Sequence, residues 1–198
     1  MKVILARIAA IFLIFCCADI LRAQQTRPIP ELFERLQSED TTDESMSKFL
    51  ELGPSNSSAH EYLVRRLPPL IGEGPKPERR RAWLNSVRLA GEFRITAAIP
   101  SLTKFIDANT GATSGGLHAT AQLLGFPCAQ ALIRIGDPAV PGLREVLEKG
   151  NARNRWFGYR TLFLIGSPPA ISALRDHLNR EQDKEFKAEI EQALDEKK

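Results

Sequence analysis

Between residues 131 and 178 the apolar positions form two stripes, written twice in the same order. In "ALIRIGDPAVPGL", residues 131 to 143, Ala131, Leu132 and Ile135 stand at helical spacing, Gly136-Asp137-Pro138 stops the helix, and Val140, Leu143 and Leu147 lie along a second one. Glycine relieves the left-handed strain at a helix end, and proline suits the first turn of the next helix, where no amide donor is needed. "TLFLIGSPPAISAL", residues 161 to 174, repeats the pattern: Leu162 and Ile165, then Gly166 and "SPP", then Ile171, Leu174 and, further on, Leu178. A third copy is "VRLAGEFRITAAIPSL", residues 87 to 102. Phe93 stands where the isoleucine stood, and Ala98, Ile99, Pro100, Leu102 and Ile106 follow.

Ile135 to Ile165 is 30 residues and Leu143 to Leu174 is 31, whereas Ile99 to Val140 is 41. The ten extra residues fit an exposed loop around "ANTGATSGG", residues 108 to 116, whose small polar side chains cannot build a core. Upstream, "DESMSKFLELG" sets Met46, Phe49 and Leu50 at helical spacing before Gly53, and "SSAHEYLVRRLPPL" supplies a second helix from near Ser57. Downstream, "KEFKAEIEQALDEKK" carries Phe186, Ile190, Ala193 and Leu194 on one face, half a unit with a wet outer side. Repetition at about 30 residues, each copy a helix, a turn and a helix, predicts an all-α fold. The architecture expected is a short α-solenoid of stacked antiparallel helix pairs over residues 31–198, in which neighbours bury their stripes jointly.

The three copies resemble the HEAT-repeat family, especially the short HEAT-like repeats of the phycobilin-lyase type, whose line runs approximately "ALGKIGDPRAVPAL". Leu162 to Leu174 fits best. Leu89 to Leu102 fits in spacing but lacks the Gly-Asp-Pro turn, and Ala131 to Leu143 is one residue short. The resemblance implies an armadillo-like superhelix whose second helices line the concave surface. With Ile99, Val140 and Ile171 as equivalent core positions, register then places Thr103, Lys104 and Asp107, Arg144, Glu145 and Glu148, and Arg175, Asp176 and Asn179 along that surface. These rows hold both charge signs and no aromatic cluster, so they suggest a polar groove without announcing a ligand; as a set they are the expected partner-binding face, because solenoids bind along extended concave surfaces. The blander expectation for any one of them is a pair within its own helix, such as Arg144 with Glu148 at i and i+4. Trp83, Trp156, Phe157 and Tyr159, in or beside first helices, are expected to pack between repeats.

The first residues are a separate object. Lys2 and Arg7 precede an apolar run of eleven, Ile8 to Ala18, and Ala23 offers a small residue where a signal peptidase would cut. A spanning helix needs about 20 apolar residues, so residues 1–23 read as a secretory signal peptide and 24–30 as a flexible segment. An uncleaved membrane anchor and a buried helix are the other readings. Taking Lys2, Arg7, Arg22 and Asp19 away from 27 basic and 24 acidic residues leaves 24 and 23. The basicity thus belongs to the targeting segment, and bulk charge gives no case for nucleic acid.

Candidate chemistry is sparse. Cys128 alone would remain after signal removal, in an apolar stretch that predicts buried packing. His60, His118 and His177 stand on separate segments with no histidine or cysteine at metal-ligand spacing, and are expected at the surface or at helix ends. "GATSGG" lacks the lysine and following hydroxyl residue of a phosphate loop, and no serine sits in a G-x-S-x-G elbow. The positive clusters "KPERRR", Lys76 to Arg81, and "RNR", Arg153 to Arg155, suit either an acidic partner or an anionic membrane, or else exposed ion pairs. "NSS", Asn56 to Ser58, has the form of a glycosylation sequon.

These features predict an exported, noncatalytic repeat scaffold that binds a protein or peptide in the cell envelope or outside it. No cofactor, metal or nucleic acid is expected, and membrane contact only through a retained signal anchor. A lyase-type enzyme acting on a bound cofactor or modified protein is the alternative, and a subunit of a larger complex is a third reading.

Overall fold

The computed structural model describes residues 28–109, 123 and 125–195. The signal segment 1–23, the greater part of loop 108–116 and His118 lie outside the described residues.

Ten α-helices and no strand are found among the described residues. They are α1 (Ile29–Leu36), α2 (Thr42–Leu52), α3 (Ser57–Gly72), α4 (Arg80–Glu92), α5 (Ile99–Lys104), α6 (Pro127–Ile135), α7 (Val140–Lys149), α8 (Ala152–Ile165), α9 (Pro168–Leu178) and α10 (Lys184–Asp195). Two layers result. In the first, α2, α4, α6, α8 and α10 each pack on the next; in the second, α3, α5, α7 and α9 do the same. Each second-layer helix also leans on the first helix of the following unit, α3 on α4, α5 on α6, α7 on α8 and α9 on α10. This is the short α-solenoid that the periodicity predicts.

The shared core runs along one register. Leu102, Leu143 and Leu174 are fully buried, and so are Ala98, Ala139 and Ala170 beside them. Burying each leucine contributes roughly 1.5–3 kcal/mol. The row expected at Ile99, Val140 and Ile171 is displaced by one residue: Val140 is buried, but Ile99 and Ile171 are only half-buried. Small alanines, one step earlier, are what allow the layers to close. α4 and α6 approach so tightly at Gly91 that a Cβ there would stand 2.9 Å from Ala131 Cα.

Each unit turns at the same place. Gly136 and Gly166 follow Ile135 and Ile165 with φ of 78° and 66°, and Arg94, after Phe93, takes 49°. The copy with arginine in place of glycine at the turn therefore keeps a positive φ there, and Ile95 N–H closes the end of α4 on Ala90 O at 2.8 Å. The restart differs between copies. Short 3-10 turns, Thr96–Ala98 and Asp137–Ala139, lead into α5 and α7, whereas Ser167 caps α9 by accepting from Ala170 N. Asn56, of the sequon, caps α3 in the same manner, accepting from Ala59 N at 2.9 Å.

α1 is a helix that the apolar pattern did not single out. It begins at Ile29, inside the segment 24–30 expected to be flexible, with Pro30 and Glu31 in a first turn that favours both. Leu32, Phe33 and Leu36 are buried against α2, α3 and α4, so α1 closes one end of the stack. The aromatics pack between units as expected. Trp83 is buried and donates Nε1–H to Ile71 O at 3.0 Å, while Trp156 Nε1–H and Tyr159 O–H tie α8 to Glu189 of α10.

Candidate functional site

The nine residues expected on the partner-binding face fall on or just beyond α5, α7 and α9, all exposed or half-buried. The structure joins them across helices. Arg144 pairs with Asp176 of α9 at 2.9 Å, Glu148 with Arg180 at 3.1 Å, and Asp107 with Arg153 at 3.4 Å. The expected pair of Arg144 with Glu148 is therefore replaced by two rungs between α7 and the α9 end. Glu145 does pair within its helix, with Lys149 at 2.7 Å; that contact lowers the Glu145 pKa and raises that of Lys149. Thr103 Oγ1 donates to Ile99 O, and Lys104 Nζ donates to Gly72 O while lying 4.9 Å over the Phe105 ring. Thr103, Lys104 and Glu145 line a groove of about 310 Å³ between α5 and α7. Arg175 lines a separate one of about 260 Å³ between α9 and α10. The nine form a polar band and no single pocket.

The basic clusters are mostly spent on holding the fold. Lys76 pairs with Glu73 at 2.9 Å, Arg79 reaches Glu73 and Gln37, and Arg80 donates to Asn109 O. Arg81 bonds the side chain and carbonyl of Glu39 and the carboxylate of Asp43. Glu39 Oε1 also accepts Ala82 N–H at 2.9 Å, so a carboxylate from the α1–α2 turn caps the start of α4. Arg153 is paired with Asp107. Arg155 is different: among the described residues it has no acceptor, its Nε is buried without a partner, and its guanidinium lies 5.7 Å over the Phe186 ring.

Arg155 faces a cleft of about 320 Å³ that sequence reasoning did not find. Its other walls are Leu147 and Glu148 at the end of α7, His177 at the end of α9, and Arg180, Glu181 and Gln182 in the turn that follows. His177 is at a helix end, as expected, but it is buried, with Nε2 2.8 Å from Glu181 Oε2. Glu181 Oε1 accepts the N–H groups of Gln182 and Asp183, both at 2.9 Å. Burial pushes the Glu181 carboxyl up, but the Asp183 N–H, His177, the Arg155 charge and the Gln182 N–H outweigh it and leave the pKa lowered. These residues come from two inter-unit turns. Their only sequence signal is that successive turns of a solenoid share an edge, so charges flanking residues 150 and 180 become neighbours.

Elsewhere the chemistry is structural. Cys128 is fully buried, and desolvation, with the Asp107 charge, pushes its thiol pKa well above the ordinary value. His60 is half-buried on α3. Among the described residues no group of three or more histidine, cysteine or acidic side chains could hold a metal, and no helix is long and apolar enough to cross a membrane.

Residues 126–195 match a family model described as HEAT repeats. No curated protein and no solved structure matches the chain. The matched span runs from the residue before α6 to the end of α10 and takes in the two copies that turn at Gly136 and Gly166. It is a match to HEAT repeats as such and does not single out the phycobilin-lyase type. The residues that build the Arg155 cleft all lie within the span that matches HEAT repeats.

Proposed function

We propose that the chain is an exported, noncatalytic repeat scaffold that holds a protein or peptide partner along the polar edge of its stack. The observation that carries this reading is that grooves form where successive units meet, between α5 and α7 and between the α7–α8 and α9–α10 turns. Surfaces built jointly by neighbouring repeats are the ones solenoids use for extended recognition. Both charge signs line them, which favours a polar partner chain over an apolar ligand. Export rests on the positive, apolar and small-residue order of residues 2 to 23.

Site-specific photo-crosslinking in living cells tests the scaffold. A crosslinker at Glu145 or Asn179 should yield a discrete protein adduct, and one at Glu51 on α2 should not; no adduct at either of the first two sites contradicts the proposal. Fractionation with N-terminal sequencing tests export. A mature start near residue 24 outside the cytosol is expected, and an intact Met1 in the cytosolic fraction contradicts it.

A further inference from the structure

We infer that the cleft between the α7–α8 and α9–α10 turns is a carboxylate-recognition site, with Arg155 as the residue that takes an acidic side chain or the chain terminus of a bound peptide. That the carboxylate belongs to a peptide rests on the scaffold reading; that the cleft takes a carboxylate rests on the cleft itself.

The donors and acceptors of the cleft do not balance. Both oxygens of Glu181 are engaged, one by His177 and the other by two backbone N–H groups. Glu148 is answered by Arg180, whose Nε also donates to Asp176 O. Each acid in the cleft thus already has its donor. Arg155 has five N–H groups, no acceptor among the described residues, and a buried Nε left unmatched. The Nε is shut off from solvent, so a carboxylate in the cleft would meet the terminal guanidinium N–H groups, which no acceptor among the described residues engages, and a charge-assisted bond to them is stronger than a neutral one. The side chain is also held in place. Its guanidinium stacks over Phe186, and Phe186 is itself braced edge-on by His177 and Tyr159 at centroid distances of 6.2 and 5.8 Å.

Charge and shape select the ligand class. A guanidinium presents parallel N–H groups that match the two oxygens of a carboxylate. Phosphate would fit the same donors, but Glu148 and Glu181 also line the cleft. A phosphate monoester carrying about −1.5 to −2 charges meets roughly twice the repulsion that a singly charged carboxylate does. About 320 Å³ is at the small end for a ligand site and suits one side chain or one chain end.

The test is an NMR titration of the 15N-labelled full chain with acetylglycine (a terminal carboxylate), acetylglutamate amide (a side-chain carboxylate), acetylglutamine amide and inorganic phosphate. Saturable shifts at the Arg155 Nε–H and the Gln182 amide are expected with one or both carboxylates, and the tighter of the two assigns terminus or side chain. Binding should be roughly tenfold weaker for the neutral probe and for phosphate, and lost in Arg155→Gln. Arg155→Lys keeps a stem over Phe186 and the charge but not the fork, and should weaken binding by about fivefold or more even if Arg155→Gln is poorly folded. No response to either carboxylate, an equal response to the neutral probe, tighter phosphate binding, or full binding by Arg155→Lys overturns the inference. Each of those results concerns small probes on purified protein, so it is separate from partner capture at Glu145 and Asn179, whose failure would sink the scaffold reading instead.

Discussion

Arg94 takes the left-handed backbone, φ 49°, that Gly166 takes at 66° at the corresponding turn of a later unit. A side chain in that region costs about 1–2 kcal/mol, of which glycine's greater freedom in the unfolded chain offsets a part. Arg94→Gly should therefore stabilise the protein by about 0.5–1 kcal/mol, and Gly166→Ala should destabilise it by about 1 kcal/mol. Urea unfolding of the two variants checks both signs.

The Glu39 carboxylate caps a helix 43 residues away in sequence. Loss of a capping acceptor typically costs about 0.5–2 kcal/mol, so Glu39→Ala should lower stability by that amount. Arg81→Ala, which removes exposed ion pairs, should cost less, about 0–1 kcal/mol. The ratio of the two in urea unfolding separates a cap from a surface bridge.

Cys128 sets an alkaline limit. Its folded pKa is raised, so the unfolded chain releases this proton first and binds fewer protons than the folded one. Stability from this group is complete below the ordinary value of 9.0 and is lost as pH rises above it. Wild type should lose up to about 1.4 kcal/mol per pH unit more than Cys128→Ala beyond that value. Alkylation at pH 8, followed by mass spectrometry of the Cys128 peptide, should find the thiol protected until the protein unfolds.

Glu181 acts at the acid end with the opposite sign. Its folded pKa lies below the ordinary 4.5, so it stabilises above that value and the contribution disappears as pH falls through the folded pKa. Glu181→Gln should start less stable at neutral pH and lose less on acidification. Thermal unfolding between pH 3 and 7 reads the difference.

The stack is legible in the sequence because burial on one face recurs at the repeat length, which puts Leu102, Leu143 and Leu174 in a single row. Its alanine partners, Ala98, Ala139 and Ala170, are less visible, since a small residue announces packing only once a neighbouring helix is seen to need the space. Helical periodicity relates residues on one helix and so suggests Arg144 with Glu148. The observed partner, Asp176, lies 32 residues on and depends on how units stack. The Arg155 cleft is hidden for the same reason, being assembled from two turns that neither stripe describes. α1 escaped notice because its eight residues belong to no repeat.

Thermal unfolding of Leu143→Asp and Leu174→Asp bears most directly on whether the units share one continuous core. Truncating a buried leucine even to alanine costs about 2–5 kcal/mol against a total of about 5–15. Both aspartates are thus expected to lower the midpoint by about 10 °C or more. Midpoints unchanged from wild type in both variants would contradict a jointly buried stack.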